Sequence, residues 1–152
     1  MDGITKLLDT VKAYSPAADV DLLRRAYAFS ESKHRGQVRQ SGEPYVMHPL
    51  AVAGILADMK LDAVAVAAGL LHDVVEDTDC SLETLAAEFP PRVIEFVAAL
   101  TEVKRDDAGQ KRSWQDRKTD HLKHIAAASW EARAITLADK LHNLGTMLFD
   151  LE

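Results

Sequence analysis

Four side chains able to bind a metal or move a proton stand within six residues: His72, Asp73, Glu76 and Asp77, in the run Leu70-Leu71-His72-Asp73-Val74-Val75-Glu76-Asp77-Thr78. At about 100° per residue, His72 shares a helical face with Glu76, and Asp73 shares one with Asp77. The residues before them are apolar, so the group emerges at the end of a helix whose earlier turns are expected to be buried. Ionisable groups placed there cost free energy unless they are paired or bound to metal. Imidazole mixed with carboxylate suits manganese, iron or zinc, and there is no thiolate to favour zinc. Two other positions can join this group. His48 heads a helix just after a Gly/Pro-containing loop. Asp139 and Asn143 are four apart on one face, in a stretch otherwise apolar at Ile135, Leu137, Leu141 and Leu144. An Asp in that setting needs a partner. The expectation is one divalent ion at His72-Asp73, backed by His48 and Asp139.

The elements that must carry these residues all read as helices. Ile4, Leu7, Leu8 and Val11 fall on one face of a first helix, which Pro16 stops. Asp19 caps a second helix to about Lys33, with Leu22, Leu23, Ala26 and Phe29 inward. From His34 to Pro49 the period breaks into a long ordered loop marked by Gly36, Ser41-Gly42, Pro44 and Pro49, the kind of loop that is often functional. Pro49 suits the first turn of a helix to about Met59. Asp62 starts the next, apolar on nearly all sides and continuous to about Val75, as expected of a helix at the centre of a bundle. Ser81 caps a short helix ending near Phe89, and Pro91 begins one to about Val103. Lys104 to Arg112 is a charged loop. Ser113 with Asp116 resembles a capping box and opens a polar helix to about Ala128, with Trp114 expected as a core anchor. Ser129 caps a last helix that includes Ala134 to Leu148. Strand-like alternation and internal repeats are absent, so the fold class is all-α.

At 152 residues the chain suits one domain. Hydrophobic residues make up 47% and aromatics only 6%, so the core must be built from Ala, Val, Leu and Ile. The net charge of -6 argues against a nucleic-acid partner, and an anionic substrate would need a metal or a local basic patch. Cys80 is the only cysteine, so no internal disulfide forms. The start MDGITKLLDT lacks the pattern of a signal peptide, and the longest apolar stretch, Ala63 to Leu71, is too short to span a membrane. These features point to a soluble cytoplasmic protein with no membrane partner. Leu151-Glu152 has the look of a scar before a purification tag, in which case a natural C-terminal portion is missing.

The order His…His-Asp…Asp resembles the HD metal-dependent phosphohydrolase superfamily. Three motifs narrow the resemblance to the hydrolase domain of the RelA/SpoT family: His34-x-Gly36-Gln37-x-Arg39-x-Ser41-Gly42-Glu43-Pro44-Tyr45-x-x-His48-Pro49, then Leu70-Leu71-His72-Asp73-x-x-Glu76-Asp77-Thr78, then Ala138-Asp139-Lys140-Leu141-His142-Asn143. Residues up to about Thr78 look like the long bifunctional enzymes. Leu100-Thr101-Glu102, Ser113-Trp114-x-x-Arg117-Lys118 and Ala138 to Leu144 are more similar to the small stand-alone alarmone hydrolases. The resemblance implies a single HD-domain helical bundle over residues 1–152 with one metal site. It implies hydrolysis of (p)ppGpp to GDP or GTP and pyrophosphate, with one Mn2+ per chain. It gives His48, His72, Asp73 and Asp139 as metal ligands, and two imidazoles with two carboxylates would neutralise a dication while leaving positions for water and substrate. Glu76 and Asp77 resemble the acidic pair that positions or deprotonates the attacking water. Their closeness to each other is expected to raise one carboxyl pKa. Arg39, Ser41, Asn143 and Thr146 match positions that contact the nucleotide, Arg39 bordering the base.

Other polar residues have looser assignments. Arg35, Arg117 and Lys118 are candidates for the remaining phosphates or plain surface charges. His34 reads as structural and His142 as a packing or supporting group, while His121 and His124 read as solvated. The chain departs from the family at Gln40, where the long enzymes carry Lys, and at Gly145, where Arg is common. Both changes remove a cation near the expected phosphate site. The rival readings are an HD phosphohydrolase acting on the 2′-phosphate of NADPH or on deoxynucleotides, a non-catalytic nucleotide-binding regulatory module, and a regulatory fragment of a long enzyme. Sequence alone leaves the oligomeric state open.

Overall fold

The computed structural model describes residues 3–102 and 106–151. Among them are nine helices and no strand: α1 (Gly3–Tyr14), α2 (Val20–Lys33), α3 (Met47–Asp58), α4 (Ala63–Leu71), α5 (Val74–Asp77), α6 (Leu82–Ala86), α7 (Pro91–Leu100), α8 (Trp114–Ala127) and α9 (Trp130–Leu151). The seventh helix, expected to run to about Val103, ends at Leu100, where Thr101 turns extended as its C-cap; the first residues of the charged loop and Glu152 lie outside the described residues. The capping residues read from sequence act as caps. The side chains of Asp19, Asp62, Ser81 and Ser113 each accept from the backbone N–H three residues on, and Ser129 does the same for Ala132. Each such cap is worth about 1 kcal/mol.

α4 is the axis of the bundle. Its sequence AVAVAAGLL is buried from Ala65 through Leu71, because α2, α3, α7 and α9 all pack against it. Small residues let these neighbours approach. A Cβ at Gly69 would come 2.7 Å from Leu56 Cδ1 of α3. Leu22, Leu23, Val52, Leu56, Leu70, Val93, Val97 and Ile135 complete one continuous core. Each large aliphatic side chain there contributes about 1.5–3 kcal/mol by burial.

Three further expectations are corrected. The helix starting at Asp62 does not run on to Val75; it ends at Leu71 and restarts as α5 at Val74. The cause is local: the His72 ring Nδ1 lies 2.6 Å from the Gly69 carbonyl, the acceptor that the Asp73 N–H would use in a continuing helix. The short helix ends at Ala86 rather than near Phe89, although Phe89 N–H still donates to the Leu85 carbonyl in a final turn before Pro90. Trp114 is no core anchor, being 67% exposed. It opens α8, which has no buried residue and so offers no apolar seat. α9 is two-faced. Ala132, Ala134, Ile135 and Ala138 are buried, but Leu137, Leu141, Leu144 and Leu148 form an outward stripe, each about half exposed.

Candidate metal centre

The side chains converge from three places in the chain. His48 sits in the first turn of α3, held there by the loop before it. That loop is closed by an isolated bridge between Val38 and Pro44 and a turn in which Gly42 N–H donates to the Arg39 carbonyl. Gly42 has φ +89°, a conformation that glycine adopts without strain. His72 and Asp73 occupy the joint between α4 and α5. Asp139 projects from α9, one turn after buried Ile135.

The four meet closely. Asp139 Oδ1 is 2.7 Å from His48 Nε2 and 3.2 Å from His72 Nε2. Asp73 Oδ2 is 3.1 Å from His72 Nε2 and 3.6 Å from His48 Nε2. One ligand atom from each residue lies within 4.8 Å of all the others. The donor set fits a divalent ion. With Nδ1 donating to the Gly69 carbonyl, His72 turns its Nε2 lone pair into the cluster, as metal-ligating histidines do. His48 Nδ1 lies 2.7 Å from His142 Nδ1, so one of these rings must accept. Burial, then the neighbouring His48 and Arg39, push His142 below the ordinary histidine pKa. A neutral His142 can accept at Nδ1, and a His48 that donates there keeps its Nε2 lone pair free to bind.

Without an ion, a proton occupies the same nest. Burial pushes the His72 imidazolium down, but Asp73 and the hydrogen bond to Asp139 outweigh it and raise its pKa from 6.5 to about 10. Burial pushes both carboxyls up, yet Asp73 and Asp139 end below the usual range, Asp73 through His72 and Asp139 through its hydrogen bonds to His48 and His72. A cationic partner is thus strongly favoured, as expected where two carboxylates crowd one buried point.

The acidic neighbours take different partners. Glu76 Oε1 accepts from the Glu102 backbone N–H at the end of α7, and Glu76 lines a cleft that opens onto His72, Asp73 and Asp139. Asp77 is exposed and lies on the other flank, where Asp77 Oδ2 is 2.9 Å from the Tyr45 hydroxyl. That same hydroxyl is 3.0 Å from Asp73 Oδ2. Gln37 Nε2 also donates to the Asp77 carbonyl, and Gln37 Oε1 is 2.9 Å from buried His34 Nδ1. The helical-wheel pairing of Asp73 with Asp77 therefore has a physical link, Tyr45. Glu76 and Asp77 thus reach different partners on the two flanks.

The nucleotide-side candidates also come together. Arg39 Nη2 donates to Asn143 Oδ1 at 3.3 Å and reaches Thr146 Oγ1 at 3.5 Å. With Ser41, Gln40 and Tyr45 they line a second cleft of about 550 Å³. Gly145 borders an adjoining groove with Ser41 and His142, and a Cβ there would meet nothing within 4 Å. Arg35 lines neither cleft. Arg117 and Lys118 pair with Glu102 at 3.9 and 2.8 Å, and Lys118 lines the metal-side cleft. Sequence reasoning gave Tyr45 no role, although it stands three residues before His48, one helical turn away. It also passed over Lys140, which neighbours Asp139 in sequence with Nζ 3.6 Å from Asp139 Oδ2.

Comparison with known proteins gives a consistent result. The family model for the HD domain matches residues 26–149. The chain is 40% identical over 141 residues to a GTP pyrophosphokinase of Myxococcus xanthus, and 39% identical over 144 residues to the GTP pyrophosphokinase rsh of Brucella melitensis. These alignments cover 91% and 93% of the chain but 19% of each relative, so the chain spans about a fifth of their length. Among solved structures, a metazoan ortholog of SpoT that hydrolyses ppGpp and plays a role in starvation responses matches with TM-score 0.73 and 35% identity. That match covers 84% of this chain and 71% of the other. The protein lmo0812 of Listeria monocytogenes EGD-e matches with TM-score 0.61 and 38% identity, over 72% and 66%.

Proposed function

The chain belongs to the HD-domain family and is of RelA/SpoT type, and from that membership we propose that it is a (p)ppGpp 3′-pyrophosphohydrolase using one Mn2+ in the cytoplasm. The observation that carries this reading is the convergence of His48, His72, Asp73 and Asp139 between two clefts, one of them lined by Arg39, Ser41, Asn143 and Thr146. A divalent ion held by the four would lower the pKa of water and polarise a phosphoryl oxygen. The chain's own groups supply the rest. Arg39, steadied by Asn143 and Thr146, offers a guanidinium plane for a base and N–H donors for phosphate. Tyr45 fixes Asp73. Glu76 faces the metal-side cleft and takes the proton of the attacking water. Water oxygen bonds to the phosphorus carried on O3′, the bond from that phosphorus to O3′ breaks, and O3′ takes up a proton. The products are GDP or GTP and pyrophosphate. In-line attack requires water to approach opposite O3′, so a nucleoside in the Arg39 cleft directs the water toward the Glu76 cleft.

The test is product identity. Protein loaded with Mn2+ is incubated with ppGpp, with NADPH and with deoxynucleoside monophosphates, and pyrophosphate, orthophosphate and nucleotide are measured. Equimolar GDP and pyrophosphate from ppGpp are expected. Turnover of NADPH or a deoxynucleotide with none of ppGpp overturns the substrate. Binding of ppGpp without turnover of any substrate overturns the enzyme.

A further inference from the structure

The two clefts that flank the metal centre share no lining residue. Asp73 and Asp139 line one, while their hydrogen-bond partners Tyr45 and Asn143 line the other. The nucleotide-side cleft, at about 550 Å³, falls within the roughly 300–1,000 Å³ of pockets for drug-sized ligands. The metal-side cleft is about 110 Å³, too small for a nucleoside and suited to a small anion.

Its outer wall is built by a helix with no core role. α8 has no buried residue, so apolar burial does not explain its place. Charge does: Lys118 and Arg117 pair with Glu102, whose backbone N–H is in turn held by Glu76. Lys118 and His121 are three apart and share one helical face, and both look into the cleft, as does Lys140 from α9. Burial first, with Lys118 and Lys140 adding, keeps the pKa of His121 below the ordinary histidine value despite Glu102, so it presents a neutral N–H. The four carboxylates of the cleft are offset by its two lysines and a bound dication, and an entering anion meets no net repulsion.

We propose that Lys118, His121 and Lys140 form the seat of the departing diphosphate, on the opposite flank of the metal centre from Arg39. This assignment rests on the hydrolase reading above, but its test does not. Inorganic pyrophosphate and GDP are titrated separately into Mn2+-loaded protein by calorimetry, with metal content measured after each titration. Lys118→Met and the double variant Lys118→Met with Glu102→Gln, which removes both charges of the pair, are compared with the parent. Loss of one charge-assisted contact is expected to weaken pyrophosphate binding about tenfold or more, with GDP binding changed less than about twofold. Pyrophosphate affinity equal to the parent's in the double variant overturns the seat, as does equal weakening of GDP. If pyrophosphate binding depends on Lys118 while ppGpp is never cleaved, the seat stands and the hydrolase reading falls. If ppGpp is cleaved with pyrophosphate binding unaltered, the reverse holds.

Discussion

The Nδ1 atoms of His48 and His142 lie 2.7 Å apart, so the ring that reaches the metal centre from α3 is aimed by a ring on α9. Supporting hydrogen bonds of this kind commonly change metal affinity about 10–100-fold when removed. His142→Phe keeps the ring's bulk and deletes the acceptor. Its Mn2+ affinity, measured by competition with a chelator, is expected to fall about tenfold with helix content unchanged. Parent-like affinity would sink the assignment of His142 as the acceptor.

The ion-free protein should show an unusual pH dependence. The His72 pKa is raised from 6.5 to about 10, so the stability it contributes is full below about pH 6.5 and is lost as pH rises through about 10. Asp73 and Asp139 are lowered, so their contribution is full above the ordinary carboxylate value and is lost as pH falls. Urea midpoints of chelated protein should therefore decline from near-neutral pH toward pH 10. Mn2+ binding needs deprotonated His72, so affinity should rise with pH across the same window. A flat midpoint curve over this range would refute the proton-for-metal exchange.

Tyr45→Phe removes one hydroxyl that touches both Asp73 and Asp77. The ring still stacks on His34, at 4.6 Å between centroids, so the fold should hold. The expected result is a kcat about tenfold lower with KM little changed, the pattern of an interaction that matters in the transition state. A change confined to KM would instead assign Tyr45 to ground-state substrate binding.

Arg39→Lys keeps the charge but loses the planar fork that meets Asn143 and Thr146. Lys is not equivalent at such a site. KM for ppGpp should rise about tenfold, roughly the cost of one charge-assisted contact, while Mn2+ content stays that of the parent. Loss of metal in this variant would show that the loop, not the nucleotide contact, was disturbed.

Much of this was legible in the residues. Helix periods and the Asp19, Asp62, Ser81, Ser113 and Ser129 caps are local signals, and the bundle follows them. The convergence of His48, His72, Asp73 and Asp139 came from motif order rather than spacing, since 91 residues separate His48 from Asp139. What periodicity missed were competitions. The break at His72 arises because an imidazole outcompetes a backbone N–H for one carbonyl. Trp114 is exposed because a charged inner face leaves no apolar seat, and an aromatic residue alone does not reveal what packs beneath it. The apolar stretch around Asp139 divides, with Ile135 and the alanines of α9 inward and Leu137, Leu141 and Leu144 outward, a split that composition alone does not reveal. The split of Glu76 from Asp77 depends on Tyr45 and Glu102, partners distant in sequence.

That separation of His48 from Asp139 has a mechanical consequence. An ion gripping both is a removable cross-link that closes a long loop and fastens α9 to α3. Native-state binding stabilises by mass action, about 4 kcal/mol at a thousandfold excess over Kd. Without it, α9 keeps its buried Ala132, Ala134, Ile135 and Ala138 and its hydrogen bonds to His48 and Arg39, with its leucine stripe already turned outward. Chelation would then do more than silence the site. It would remove one tie on a helix that carries both a ligand and an exposed leucine stripe, so metal loss is expected to bear on self-association as well as on the site.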